Sequence, residues 1–114
     1  GDGDILVVMS NSGKTREVIE TVLLARKIGN NPVISITSNL NSRLSNISDI
    51  ALSIGKTPEV GPFGLVPTSS TIAMMALGDI LCILTMENKN FTKEEYSKIH
   101  HGGYIGQKAR GEIK

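Results

Sequence analysis

Ile5-Leu6-Val7-Val8-Met9-Ser10-Asn11-Ser12-Gly13-Lys14-Thr15 runs from a short apolar segment rich in β-branched residues into a stretch of small hydroxyl, amide and glycine residues. The apolar half carries the signature of a strand buried on both faces. Beyond Thr15, the residues Val18, Ile19, Val22, Leu23, Ala25 and Ile28 recur at spacings of three and four, with charged residues mostly between them. That spacing predicts a helix with one buried face. A strand that turns through hydroxyls and a glycine into a helix aims backbone N–H groups and the positive end of the helix dipole at one spot, where a phosphate is stabilised. The side chains of Ser10, Ser12 and Thr15 add hydroxyl donors. Gly13-Lys14-Thr15 does not make a nucleotide P-loop, because the glycine that motif needs five residues before the Gly-Lys pair is Val8 here. A helix-capping turn without a ligand is the competing reading.

Composition sets the outer limits. A chain of 114 residues suits one domain. Twelve basic against 11 acidic residues leave a formal charge of +1, so nothing argues for nucleic acid or a membrane surface as partner. Aromatic residues make up only 4%, which suits a core of Ile, Leu and Val in a globular α/β domain. Cys82 is the single cysteine, so an internal disulfide is impossible; its apolar neighbours place it in the core, and a reducing, cytoplasmic setting is expected. No secretory leader is evident, and no apolar run approaches the length of a membrane span.

Strands and helices alternate along the first half. Gly1 to Asp4 leads into the first strand, and a chain that begins one turn before a buried strand reads as a fragment of something longer. Gly29-Asn30-Asn31-Pro32 closes the first helix. Val33-Ile34-Ser35-Ile36-Thr37 is a second strand, Ser42 to Ser48 a short helix, and Asp49 to Ile54 a third strand ending at Gly55. This order predicts a parallel sheet with right-handed crossovers and helices on its faces. Periodicity stops between Lys56 and Pro67, as in a long ordered loop or an active-site loop. Thr68-Ser69-Ser70-Thr71 then opens the longest helix, to about Glu87, with apolar residues on more than one face; it is either central to the core or part of an oligomer interface. Thr92-Lys93-Glu94-Glu95 has the form of a capping box for a helix to about Ile99. His100 to Gly106 reads as a glycine-rich turn and Lys108 to Lys114 as a frayed basic tail.

Glu59, among Pro58, Val60, Gly61 and Pro62, is a carboxylate whose pKa an apolar loop would raise toward base function. His100 and His101, the only histidines, can act as acid or base near neutrality.

The segments Gly3-Asp4, Ser10-Asn11-Ser12-Gly13-x-Thr15, Glu59-x-x-Pro62-x-Gly64-Leu65-x-Pro67-Thr68-Ser69-Ser70-Thr71, Gly78-Asp79, Phe91-Thr92 and His100-x-Gly102-Gly103-x-x-Gly106 together resemble the sugar isomerase (SIS) domain. Within it they are similar to the arabinose 5-phosphate isomerases of the Kdo and capsule pathway. The resemblance runs from Gly3 to about Lys108, leaving residues 109–114 as the tail. It implies a three-layer, doubly wound α/β/α domain with a five-stranded parallel sheet, of which this chain looks like strands three to five. The first two strands, with the family's Gly-Lys-Ser turn, would lie upstream.

The reaction implied is the interconversion of arabinose 5-phosphate and ribulose 5-phosphate through an enediol, without a metal or other cofactor. By the same resemblance, Ser10, Asn11, Ser12, Lys14 and Thr15, with Thr68 and Ser69, bind substrate and phosphate. Glu59 is the base at C1/C2, and His100 the acid or base for ring opening, supplied across a subunit boundary in a homo-oligomer (dimer or tetramer). Two positions depart from the family pattern: Lys14 where glutamate is common, and His101 where the turn usually carries proline. The alternative is a SIS module that binds a sugar phosphate, sugar acid or sugar nucleotide as a regulator without converting it.

Overall fold

The computed structural model describes residues 3–29 and 31–114, so Gly1, Asp2 and the Asn30 position of the expected helix stop lie outside the described residues. It divides into two compact units, Gly1–Leu77 and Gly78–Lys114. The first holds β1 (Leu6–Met9), α1 (Arg16–Gly29), β2 (Val33–Thr37), α2 (Arg43–Ile47), β3 (Ile50–Ser53) and the start of α3 (Ser69–Asn88); the second holds the rest of α3, α4 (Lys93–Ile99) and α5 (Gly103–Ala109).

The three strands form a parallel sheet in the order β1-β2-β3. Leu6 pairs with Val33 and Met9 with Ile36, while Ile34 pairs with Ile50 and Thr37 with Ser53. The expected α/β class with a parallel sheet and flanking helices is therefore present. Strands laid down in sequential order by right-handed crossovers put both connecting helices on one face. Accordingly Ile19 and Val22 of α1 and Leu44 of α2 pack with Val8 and Val33, and Leu6, Val18 and Ile47 close the edge of that core. The same geometry corrects the expectation that β1 is buried on both faces: Val8 points into the core, but Val7 and Met9 on the opposite face remain 46% and 44% exposed. Asp49 locks the bottom of the sheet, accepting from Val33 N–H at 2.7 Å and from Arg26 at 2.8 Å. The Val33 N–H and the Arg26 guanidinium hold its carboxyl below the usual range.

Helix α3, expected either in the core or at an oligomer interface, does not lie in the core. Only Ser70 and Met74 are buried, and Ile72, Met75, Ile80, Ile83 and Leu84 are exposed. Cys82, expected in the core, is exposed as well. With 20 residues, of which an 18-residue stretch has a mean hydropathy of 1.7, α3 is long and apolar enough to cross a membrane by length and composition, contrary to the sequence reading. Asp79 and small residues interrupt the run and disguise its length. The helix ends in a Schellman arrangement with Asn90 in the left-handed region (φ 51°), Asn90 N–H donating to Glu87 O and Phe91 N–H to Met86 O.

In the second unit the Thr92–Glu95 capping box forms as expected, each side chain accepting from the other residue's N–H. The glycine-rich segment is only partly a turn, since α5 begins inside it at Gly103. The tail is not frayed at its start: Arg110 donates to the His101 carbonyl at 2.8 Å and to Glu112 through Nε at 2.6 Å and Nη2 at 3.0 Å.

Candidate functional site

The turn between β1 and α1 is shaped by partners distant in sequence. Ser10 N–H continues the sheet to Ile36 O, and Leu44 N–H of α2 donates to Gly13 O. The Asn11 carbonyl accepts from Ser38 N–H at 3.0 Å, the Ser38 hydroxyl at 2.7 Å and the Thr37 hydroxyl at 3.0 Å. Gly13 sits at φ 63°, and a Cβ there would collide with the Ser42 side chain, so the close approach of α2 demands glycine. Ser10 Oγ and Thr15 Oγ1 lie 2.7 Å apart. One of the two donates, which leaves the other's proton for a ligand. Ser12 Oγ accepts from Lys14 N–H at 3.2 Å and keeps its own proton to give.

These hydroxyls open onto a cavity of about 430 Å³, lined among others by Ser10, Asn11, Ser12, Thr15, Glu59 and Ser70. That size falls within the ~300–1,000 Å³ of small-molecule pockets. Glu59 reaches it from the irregular loop before α3. Its Oε2 accepts from Thr68 N–H at 2.7 Å, the Thr68 hydroxyl at 3.0 Å and Ser70 N–H at 3.3 Å, so the carboxylate sits on the positive end of α3. Its Oε1 accepts from Asn11 Nδ2 at 3.3 Å.

The electrostatics reverse the expectation for this residue. Hydrogen bonding by the Ser70 hydroxyl and then by Thr68 N–H, against the opposing effect of burial, holds the Glu59 carboxyl at about 2 rather than raising it from 4.5. The apolar neighbours in sequence suggested desolvation; donors nine and eleven residues downstream decide the matter.

The other candidates fall in three places. Thr68 joins the cluster through Glu59 and also accepts from Val60 N–H at 2.9 Å. Ser69 is not among the cavity-lining residues, whereas Ser70, absent from the expected binding set, is 2% exposed and lines the wall. Counting from Thr68 as the cap of α3 finds it, because the second helical N–H faces a capping anion. The Lys14 side chain lines a neighbouring cleft with Arg16 and Arg43, not the hydroxyl-lined cavity. His100 belongs to the second unit, where it is exposed, contacts Tyr96 edge to face at 4.8 Å and places Nδ1 3.2 Å from Ile99 O. The spacing of its motif has a local cause: a Cβ at Gly106 would collide with the His100 carbonyl.

Residues 1–84 match the SIS domain family. The chain belongs to that family. Among its relatives, the arabinose 5-phosphate isomerase KdsD of Francisella tularensis is 36% identical over 92% of this chain and 32% of its own length. The arabinose 5-phosphate isomerase KpsF of Escherichia coli is 35% identical over 92% of this chain and 33% of its own length. In three dimensions the SIS chain is similar to a Bacteroides fragilis protein assigned as a phosphosugar isomerase involved in capsule formation, with a TM-score of 0.86 and 48% identity over 91% of this chain and 55% of that one. It is also similar to an Escherichia coli CFT073 protein solved in complex with arabinose 5-phosphate, with a TM-score of 0.77 and 31% identity over 85% of this chain and 51% of that one. The chain thus spans about one third of the length of the curated relatives it matches.

Proposed function

We propose that this chain forms the phosphate- and carboxylate-bearing part of a cytoplasmic sugar-phosphate aldose–ketose isomerase acting on arabinose 5-phosphate and ribulose 5-phosphate. The observation that carries the reading is one cavity shared by the Ser10, Ser12 and Thr15 hydroxyls and the Glu59 carboxylate. The hydroxyls and the N-terminal end of α1 hold the phosphate. Lys14, with its side chain in the adjoining cleft, adds positive field rather than a contact. Glu59 is ionised throughout the neutral range, and Oε1, carrying only the Asn11 amide, is the oxygen that takes the C1/C2 proton. Its basicity increases when the sugar displaces water from the cavity. His100 opens the sugar ring, contributed from one copy of a homo-oligomer to another, and the exposed apolar side of α3 is the surface available for that association.

The regulatory reading, binding without conversion, draws on the saturation of Glu59 Oε2 by three donors. A coupled assay of the full-length protein separates the two. Glu59→Gln and His100→Ala are each expected to lower kcat ~100-fold or more while arabinose 5-phosphate binding survives, the scale of general acid–base contributions. Binding with no ketose formed by the unaltered protein would select the regulator.

A further inference from the structure

Asn11 lies between the hydroxyl cluster and the carboxylate, and three features of it have no place in phosphate binding. Its Nδ2 donates to Glu59 Oε1 at 3.3 Å, across a sequence separation of 48 residues. Its backbone carbonyl is fixed to the end of β2 by the three donors of Thr37 and Ser38. Its Oδ1 is buried with no hydrogen-bond partner among the described residues. An ionised carboxylate only accepts, so the amide edge facing Glu59 must be the NH2 group, and this fixes the direction of Oδ1. A phosphate dianion offers no proton to Oδ1, and one of the two Nδ2 hydrogens is already committed to Glu59. A buried acceptor left unpaired costs about 1–3 kcal/mol, so stability alone does not favour this side chain here.

We propose that Asn11 is a positioning residue for Glu59: it transmits the rigidity of the β2 end to Oε1 and holds that oxygen toward the sugar, and its side chain does not bind phosphate. The proposal rests on the sugar-phosphate reading of the cavity. It gives the amide between the two serines a task that a third hydroxyl would not perform in the same way: one that reaches Glu59 Oε1.

Asn11→Ala and the nearly isosteric Asn11→Asp in the full-length protein test it. With arabinose 5-phosphate, both variants are expected to lose ~10- to 100-fold in kcat, the range for a displaced catalytic group. KM and the inhibition constant of inorganic phosphate stay within ~2-fold, since no phosphate donor has been removed. The Glu59 carboxyl, followed by NMR, titrates at higher pH in Asn11→Ala and higher still in Asn11→Asp, where a second carboxylate faces it. Parallel weakening of inorganic phosphate inhibition, or an unmoved Glu59 titration, overturns the proposal. If the unaltered protein lacks turnover, the isomerase reading fails by itself, and the ligand-free titration still decides whether Asn11 governs Glu59.

Discussion

The Ser10–Thr15 turn and the His100–Gly106 segment are both built from small and polar residues, yet they are held in opposite ways. The first is tied to Thr37 at the end of β2, to Ser38 just after it and to Glu59, at sequence separations of 26, 27 and 48 residues. The second is shaped by its neighbours: His100 bonds to Ile99 O, packs edge to face on Tyr96, and has its following carbonyl bound by Arg110 nine residues on. Local contacts close short loops at little entropic cost, while long-range ones form only when the surrounding fold is complete. The Ser10–Thr15 turn is therefore a product of the sheet, and the histidine turn a product of its own sequence.

Mutations that break this contrast should have unequal effects. Leu44 is fully buried in the core, and its N–H holds Gly13 O. Leu44→Ala is expected to cost about 2–5 kcal/mol in chemical denaturation and to weaken inorganic phosphate binding together with stability. Tyr96 makes edge-to-face contacts with Phe91 at 6.5 Å and His100 at 4.8 Å. Tyr96→Ala should cost only ~0.5–1.5 kcal/mol beyond its lost area and leave phosphate binding intact. Equal losses of phosphate affinity in the two variants would show that the turns are not independently supported.

The same contrast explains what could be read in advance. Strands alternating with helices, the Thr92–Glu95 capping box and the hydroxyl turn are local patterns, and they stand where the sequence placed them. The exposure of Val7 and Met9 was not legible, because an apolar run does not say how many layers will cover it. Cys82 went the same way: its apolar neighbours say core, and the fold leaves it exposed. At Glu59 the neighbours in sequence are Pro58 and Val60, but its neighbours in space are Thr68, Ser70 and Asn11. The need for Gly13 likewise comes from Ser42, which no spacing rule connects to it.

The smallest expected effect is the acid limb of stability, and it isolates Glu59. With its folded-state carboxyl at about 2 and an ordinary value of 4.5, the group favours folding while ionised. Its contribution is fully present above about 4.5 and is lost as the pH falls toward about 2. Asp49, whose carboxyl is also lowered, adds to the same limb, so the melting temperature of the unaltered protein falls for more than one reason. The difference between the unaltered protein and Glu59→Gln removes the Asp49 share, since that residue is bonded through Val33 and Arg26 at the other end of the sheet. That difference in melting temperature should be constant at neutral pH and shrink between about pH 4.5 and about 2. A difference that does not change with pH would mean that Thr68 and Ser70 donate as well to a neutral amide as to a carboxylate, and that the charge of Glu59 serves the ligand rather than the fold.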